Sequence, residues 1–273
     1  MVIKLKYARV QNAGDLINEN IIRDIFHMQM EEADAWQADL SAIGSGLGRF
    51  QHERSFKYRF QDLRRAGLKP LHVWGTGFIS YPQSKDVPLF RRCVFHAVRG
   101  ELTRQRLEKI YHRKFDIPTC DAGLLAPELL SGERFEKRYA LGVIAHFKEQ
   151  SEPEFAALIR EHQNSLLIDI AQPPLQVLRQ IAQCEMILSS SLHGLIFADA
   201  LRVPNHHIVV SDKLMGDGYK FDDYYSCYGL VHRFCNLRTQ PLPPLSSLRE
   251  AYPITDDQIK EKQHLLHESF PFK

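Results

Sequence analysis

Met186-Ile187-Leu188-Ser189-Ser190-Ser191-Leu192-His193-Gly194 is a short apolar run that ends in three serines and then takes up an apolar helical pattern through Leu201. The run Glu185 to Leu188 reads as a buried strand, and the serines as the stop between it and a helix from Leu192 to Leu201. Strand, tight turn and helix in that order make one βα unit of a parallel sheet with helices on its faces. In such sheets ligands sit outside the carboxyl ends of the strands, where turns present unpaired backbone N–H groups. The same turn is therefore the first place to look for chemistry. The hydroxyls of Ser189, Ser190 and Ser191, with the first-turn N–H groups from Leu192 to Gly194, would form a neutral cradle for a phosphate or carboxylate. His193 would exchange a proton with such a ligand near neutral pH. The plainer alternative is that the serines cap the helix and the histidine satisfies a backbone group.

The rhythm continues on both sides of this unit. Tyr139 to Ile144 reads as a strand, Pro153 to Glu161 as a helix, Leu166 to Ile170 as a strand, Leu175 to Gln183 as a helix and His207 to Val210 as a strand. The N-terminal half has the same alternation. Val2 to Val10 reads as a strand and Asp15 to Met30 as a helix with Ile17, Ile21 and Ile25 on one face; Leu40 to Ile43 and Leu71 to Trp74 are brief buried strands; Cys93 to Val98 is a strand and Gly100 to Tyr111 a helix. A breaker at Ser131-Gly132-Glu133 separates the two blocks. The expected architecture is α/β, two Rossmann-like domains facing a cleft: residues 1–133, residues 134–245, and a helical tail over 246–273 whose helix, Asp256 to His267, starts after Thr255 as N-cap.

Composition narrows the function classes. At 273 residues the chain suits one large domain or two modest ones. Hydrophobic residues at 44% and charged residues at 25% exclude disorder, a collagen-like repeat and a coiled-coil rod. The 35 basic and 33 acidic residues leave a net charge of +2 without a run of like charges, so no nucleic-acid partner is expected. The N-terminus alternates apolar and basic residues rather than forming the apolar core of a signal peptide, and no apolar stretch is clean enough to span a membrane, so a soluble, cytoplasmic protein is expected. Five cysteines without C-x-x-C spacing argue against a disulfide framework or a structural zinc site.

Other strand ends carry candidates. Gly44-Ser45-Gly46-Leu47-Gly48 and Trp74-Gly75-Thr76-Gly77-Phe78 allow a ligand or a neighbouring backbone to approach closely, although neither is a full dinucleotide fingerprint or a P-loop. Arg99 follows the apolar strand end at Val98, where a guanidinium suits bidentate binding of carboxylate or phosphate, or equally a surface ion pair. His146 also follows a strand. Asp15, in Asn12-Ala13-Gly14-Asp15, is either a site residue or a helix cap. Lys220-Phe221-Asp222-Asp223-Tyr224-Tyr225 combines cation, acid and aromatic groups and suits sugar rings and hydroxyls, or else is an exposed turn.

Together these segments resemble the polysaccharide pyruvyl transferase family, in particular its short members that act on xanthan-type and succinoglycan-type precursors. The matching pieces are Asn12-x-Gly14-Asp15, Gly44-Ser45, Trp74-Gly75-Thr76-Gly77, Ala97-Val98-Arg99-Gly100, Asp121-x-Gly123-Leu124-Leu125, His146-Phe147, Ser189 to Ile196 and Lys220 to Tyr225. The resemblance implies a GT-B-like fold, with an acceptor side in residues 1–133 and a donor side in 134–245. It implies phosphoenolpyruvate as donor substrate, no cofactor and no metal. The acceptor would be a sugar, carried on a lipid-linked oligosaccharide at the inner face of the membrane. It points to Arg99, Leu192 and His193 at the donor, with His193 first and His146 second as proton donor. The chain departs from the family at Ser191, where many members have Arg, at Ala122, where they have Pro, and at Gly48, where they often have His. A sugar-nucleotide glycosyltransferase and a non-catalytic carbohydrate-binding subunit are the rival readings.

Overall fold

Each apolar run in the alternation becomes a parallel strand, and each helical face covers it. The computed structural model describes residues 1–8, 10–51, 69–82 and 86–272. The first sheet holds β1 (Val2–Leu5), β2 (Gln29–Glu32), β3 (Leu40–Ser41), β4 (Leu71–Thr76) and β5 (Cys93–Val98), in the order β2-β1-β3-β4-β5 with every neighbouring pair parallel. The second holds β6 (Leu141–Ala145), β7 (Ser165–Asp169), β8 (Ile187–Ser189), β9 (Asn205–Val209) and β10 (Phe234–Asn236), in the order β10-β9-β8-β6-β7, again parallel throughout. Counted within its own half, each sheet has the order 2-1-3-4-5, the doubly wound arrangement whose direction reverses beside its first strand. The two α/β halves are thus consistent with two Rossmann-like domains.

Helices α1 (Ala13–Asn20), α2 (Glu101–Tyr111), α3 (Pro153–Glu161), α4 (Pro174–Ala182), α5 (Leu192–Ala200), α6 (Tyr219–Ser226), α7 (Leu245–Glu250) and α8 (Asp256–Ser269) complete the frame. The central strands β6 and β8 are buried along their whole length, as strands covered on both faces must be. One apolar cluster runs from Ile3, Ile17 and Trp74 to Ile144, Ile187 and Leu195, joining the two sheets. The tail packs back on the first half: Trp74 Nε1 donates to Leu266 O at 3.2 Å, Gln263 Nε2 to Leu124 O at 2.8 Å, and Phe270 stacks on Phe26. The capping box at Thr255 and Gln258 starts α8.

Several expected elements differ. The first strand stops at Leu5, well short of Val10, with Arg9 outside the described residues. The helix expected over Asp15 to Met30 ends as a π-turn at Ile25, because His27 takes a left-handed conformation with φ 54, and the chain then enters β2. The segment around Tyr219 to Tyr225 is a buried helix rather than a turn, and Ala122–Leu130 forms a 3-10 run that packs against α1, α5 and α8.

Candidate functional site

The order reversals fall between β1 and β3 in one sheet and between β6 and β8 in the other, and the chain leaving these four strands surrounds a cavity of about 150 Å³. The first half contributes Lys6 and Tyr7 after β1, Asn12 and Asp15 at the start of α1, and Ser45, Gly46 and Arg49 after β3. The second contributes His146, Phe147 and Lys148 after β6 and Ser191, Leu192 and His193 after β8, with Lys220 reaching in from α6. Among the described residues three helix N-termini converge here. At α1 Asn12 accepts from Gly14 N, whereas Ser191 and Gly218 cap α5 and α6 without a side-chain hydrogen bond. Their orphan N–H groups favour an anion.

A close approach fixes the geometry between the halves. A side chain on Gly14 would place its Cβ 2.1 Å from His193 Cγ, so α1 and α5 meet here only because residue 14 has none. His193 is 8% exposed, and its Nε2 is buried without a hydrogen-bond partner among the described residues. Burial, reinforced by Arg99, Lys220 and His146, pushes the His193 pKa down to about 3. Burial with Lys220 and Lys148 does the same to His146, also to about 3. Both imidazoles are therefore neutral at pH 7 in the empty cavity, a state that accepts a proton rather than gives one. Asp15, desolvated against the opposing pull of Arg49 and Lys220, is raised to about 6. Lys220 is lowered to about 8 by burial and by Arg99, with Asp15 and Glu149 pulling the other way. Among the described residues lining the cavity, Lys6, Arg49, Lys148 and Lys220 thus face a single carboxyl, Asp15.

The remaining candidates take other places. Ser189 and Ser190 are buried and bonded: Ser189 Oγ accepts from Ser191 N at 3.0 Å, and Ser190 Oγ accepts from His146 N at 2.9 Å, which ties the β6 loop to the β8 loop. Of the three serines, Ser191 lines the cavity. Gly194 packs against Ser189 in the first turn of α5. Arg99 is fully buried beneath the cavity. Its Nε donates to Asp223 Oδ2 at 2.9 Å and its NH1 to Ser45 Oγ at 2.8 Å, while NH2 bonds Phe78 O. Gly77 leaves room for that pair, since a Cβ there would come within 2.7 Å of both Arg99 and Asp223. Thr76 Oγ1 donates to Gly44 O at 2.8 Å and accepts from Gly46 N at 3.1 Å, bracing the glycine turn; Gly75 packs against Ala122.

Within α6, residues 100° apart around the helix go to different surroundings. Lys220 enters the cavity; Asp223 binds Arg99 and accepts from Thr103 N and Oγ1, both at 2.7 Å; Asp222 faces outward to Tyr81 OH at 2.9 Å and His232 Nδ1 at 3.0 Å; Tyr224 OH donates to buried Asp199 at 2.6 Å. Sequence reasoning missed Lys6, Arg49 and Lys148. Lys148 stands two residues past His146 on the same strand-end loop, and that position was the available signal. Among the described residues no three His, Cys, Asp or Glu side chains are grouped to hold a metal ion, and no helix is long and apolar enough to cross a membrane.

The family model described as polysaccharide pyruvyl transferase matches residues 3–212. The uncharacterized protein L143 of Acanthamoeba polyphaga mimivirus is 31% identical over 172 residues, covering 60% of this chain and 58% of that protein. The succinoglycan biosynthesis protein ExoV of Rhizobium meliloti (strain 1021) is 25% identical over 161 residues, covering 59% of this chain and 48% of that protein. The chain spans about half the length of the curated relatives it matches.

Proposed function

This chain belongs to the polysaccharide pyruvyl transferase family, and on that premise we propose that it transfers the pyruvyl group of phosphoenolpyruvate onto two hydroxyls of a sugar as a ketal, in exopolysaccharide biosynthesis. The observation that carries the reading is the cavity at the two order reversals, where, among the described residues, four basic side chains and three helix N-termini face one carboxyl. Phosphoenolpyruvate brings a carboxylate and a largely dianionic phosphate. A helix N-terminus stabilises an anion by about 0.3–1 kcal/mol in an exposed setting. A unit charge pair at about 4 Å is worth about 4 kcal/mol at an effective dielectric near 20. The cations, then, hold most of the donor's charge and the helix ends orient it.

Neutral His193 and His146 suit a second task in the same cavity. Each can take a proton from a sugar hydroxyl as it attacks, and the donor's negative charge offsets the cationic neighbours that depress them. Arg99 acts through Ser45 and through its field rather than as a ligand. The same strand order in both sheets, with the cavity between them, supports a GT-B-like division into an acceptor side and a donor side. The acceptor in this reading is a lipid-linked oligosaccharide met at the cytoplasmic face of the membrane.

Phosphate release tests the reading. Phosphoenolpyruvate is supplied with and without p-nitrophenyl hexosides or a lipid-linked oligosaccharide, and phosphate is expected only when both partners are present. The sugar should gain the mass of pyruvate less one water. Nucleotide release from a sugar nucleotide would instead make the chain a glycosyltransferase, and sugar binding without any release would make it a binding subunit.

A further inference from the structure

We propose that Lys220 is the group that delivers a proton to the methylene carbon of the bound donor. The assignment rests on reading the cavity as the site of ketal pyruvyl transfer. Lys220 stands in the first turn of α6, is 9% exposed and lines the cavity. Its ammonium makes no hydrogen bond or ion pair with any described residue and lies over the face of Phe221, 5.1 Å from Nζ to the ring centroid. Desolvating a lone ammonium costs several kcal/mol, and a lysine buried for packing finds acceptors. Lys137, although exposed, finds such partners, donating to the carbonyls of Ala182 at 3.0 Å and Cys184 at 2.6 Å. Lys220 has no such role and points at the space the donor would fill.

The groups facing it come from both halves. Arg99 lies beneath at the end of β5, Asp15 opposite on α1, Lys148 and Glu149 on the loop after β6, His146 and His193 on the second sheet's carboxyl edge, and His207 within β9. Burial and the two cations leave Lys220 protonated at neutral pH yet close to release, at about 8. The other cavity groups are less suited. His193 and His146 are neutral, Asp15 is mostly ionised above about 6, and Arg49 is exposed. Lys148 is exposed and Lys6 is only partly buried.

The step balances without another reagent. The Lys220 N–H bond breaks, the donor's C=C electron pair takes the proton at the methylene carbon, and the adjacent carbon becomes cationic, stabilised by its ester oxygen. A sugar hydroxyl oxygen bonds that carbon and its proton returns to the Lys220 amine through His193. The second hydroxyl then displaces phosphate, which leaves with the C–O electron pair and takes the second hydroxyl's proton.

The test compares the wild type with Lys220→Arg and Lys220→Ala, using phosphoenolpyruvate and p-nitrophenyl hexosides. Lys220→Arg keeps the charge, so donor affinity by calorimetry should change only a few-fold while kcat falls about 10²- to 10⁴-fold. In Lys220→Ala, added primary amines should restore turnover in the order of their acidity, and the alkaline limb of the wild-type pH profile should disappear. Near-wild-type kcat in Lys220→Arg overturns the assignment, as does a Lys220→Ala that binds donor but is not rescued by amines. Failure of the wild type to release phosphate with either acceptor class overturns the reaction itself, a separate outcome from the loss of Lys220 alone.

Discussion

His193 occupies the space that Gly14 leaves empty, so the histidine's position depends on a residue from the other half of the chain. Gly14→Ala would force a Cβ to within 2.1 Å of the ring. Overpacking of this kind typically costs about 1–3 kcal/mol, and the displaced ring should lower turnover more than it lowers stability. Urea unfolding and phosphate release on the same variant check this; unchanged values in both would mean that the two helices can separate freely. A second prediction concerns pH. Asp15, the carboxyl facing the anionic donor, is ionised above about 6 and Lys220 is protonated below about 8, so kcat/KM should fall as pH rises through each value. Asp15→Asn should remove the fall near 6 and leave the one near 8. At this scale the sequence was partly legible. The strand-end rule brings His193 and His146 to the cavity, because a parallel strand must deliver its next residues to the ligand edge, and Asp15 lines it from the first turn of α1. It could not find Arg49, which reaches the cavity from a 3-10 turn (Leu47–Phe50) whose placement depends on the tertiary fold. Nor could it tell that Arg99 turns beneath the cavity, since a guanidinium after a strand fits either an anion or a carboxylate of its own chain.

Helix α6 shows what an element adds. Its residues Lys220, Asp222, Asp223 and Tyr224 have the composition of a sugar-binding turn, yet helical geometry sends one of them to the cavity, one outward and two into the interior. Tyr, Phe and Asp are weak helix formers, so burial of Tyr219, Phe221, Tyr224 and Tyr225 holds this helix rather than propensity. That tertiary origin hid it from a reading of local pattern. Strand β2 was hidden for the opposite reason: Gln29-Met30-Glu31-Glu32 is a polar edge with no apolar alternation to reveal it. The ion pair between α6 and β5 has a measurable consequence. Arg99 and Asp223 side chains are both 0% exposed, and removing one partner of such a pair typically costs about 3–5 kcal/mol. Arg99→Ala should therefore show mainly as lost stability in denaturant unfolding, with turnover falling as Ser45 and Lys220 lose their neighbour. A variant of full stability whose donor KM alone rises would instead make Arg99 a direct ligand.

For the whole molecule, the two βα blocks could be read from the alternation, and so could the parallel sheets, because strands covered on both faces must be continuously apolar. That the two order reversals face one another could not be read. Their alignment depends on the Gly14 and His193 contact, on the apolar cluster that crosses between the sheets, and on α8 returning to Trp74. The proposed reaction depends on that alignment: a donor bound between the halves would meet side chains that neither half supplies alone. A crystal of the protein soaked with phosphoenolpyruvate tests it most directly. Difference density should show the phosphate and carboxylate within hydrogen-bond reach of Lys220 and at least one of Lys6, Arg49 and Lys148, with the methylene carbon facing Lys220. Density for the donor outside this cavity, or an empty cavity under a saturating soak, would contradict the account.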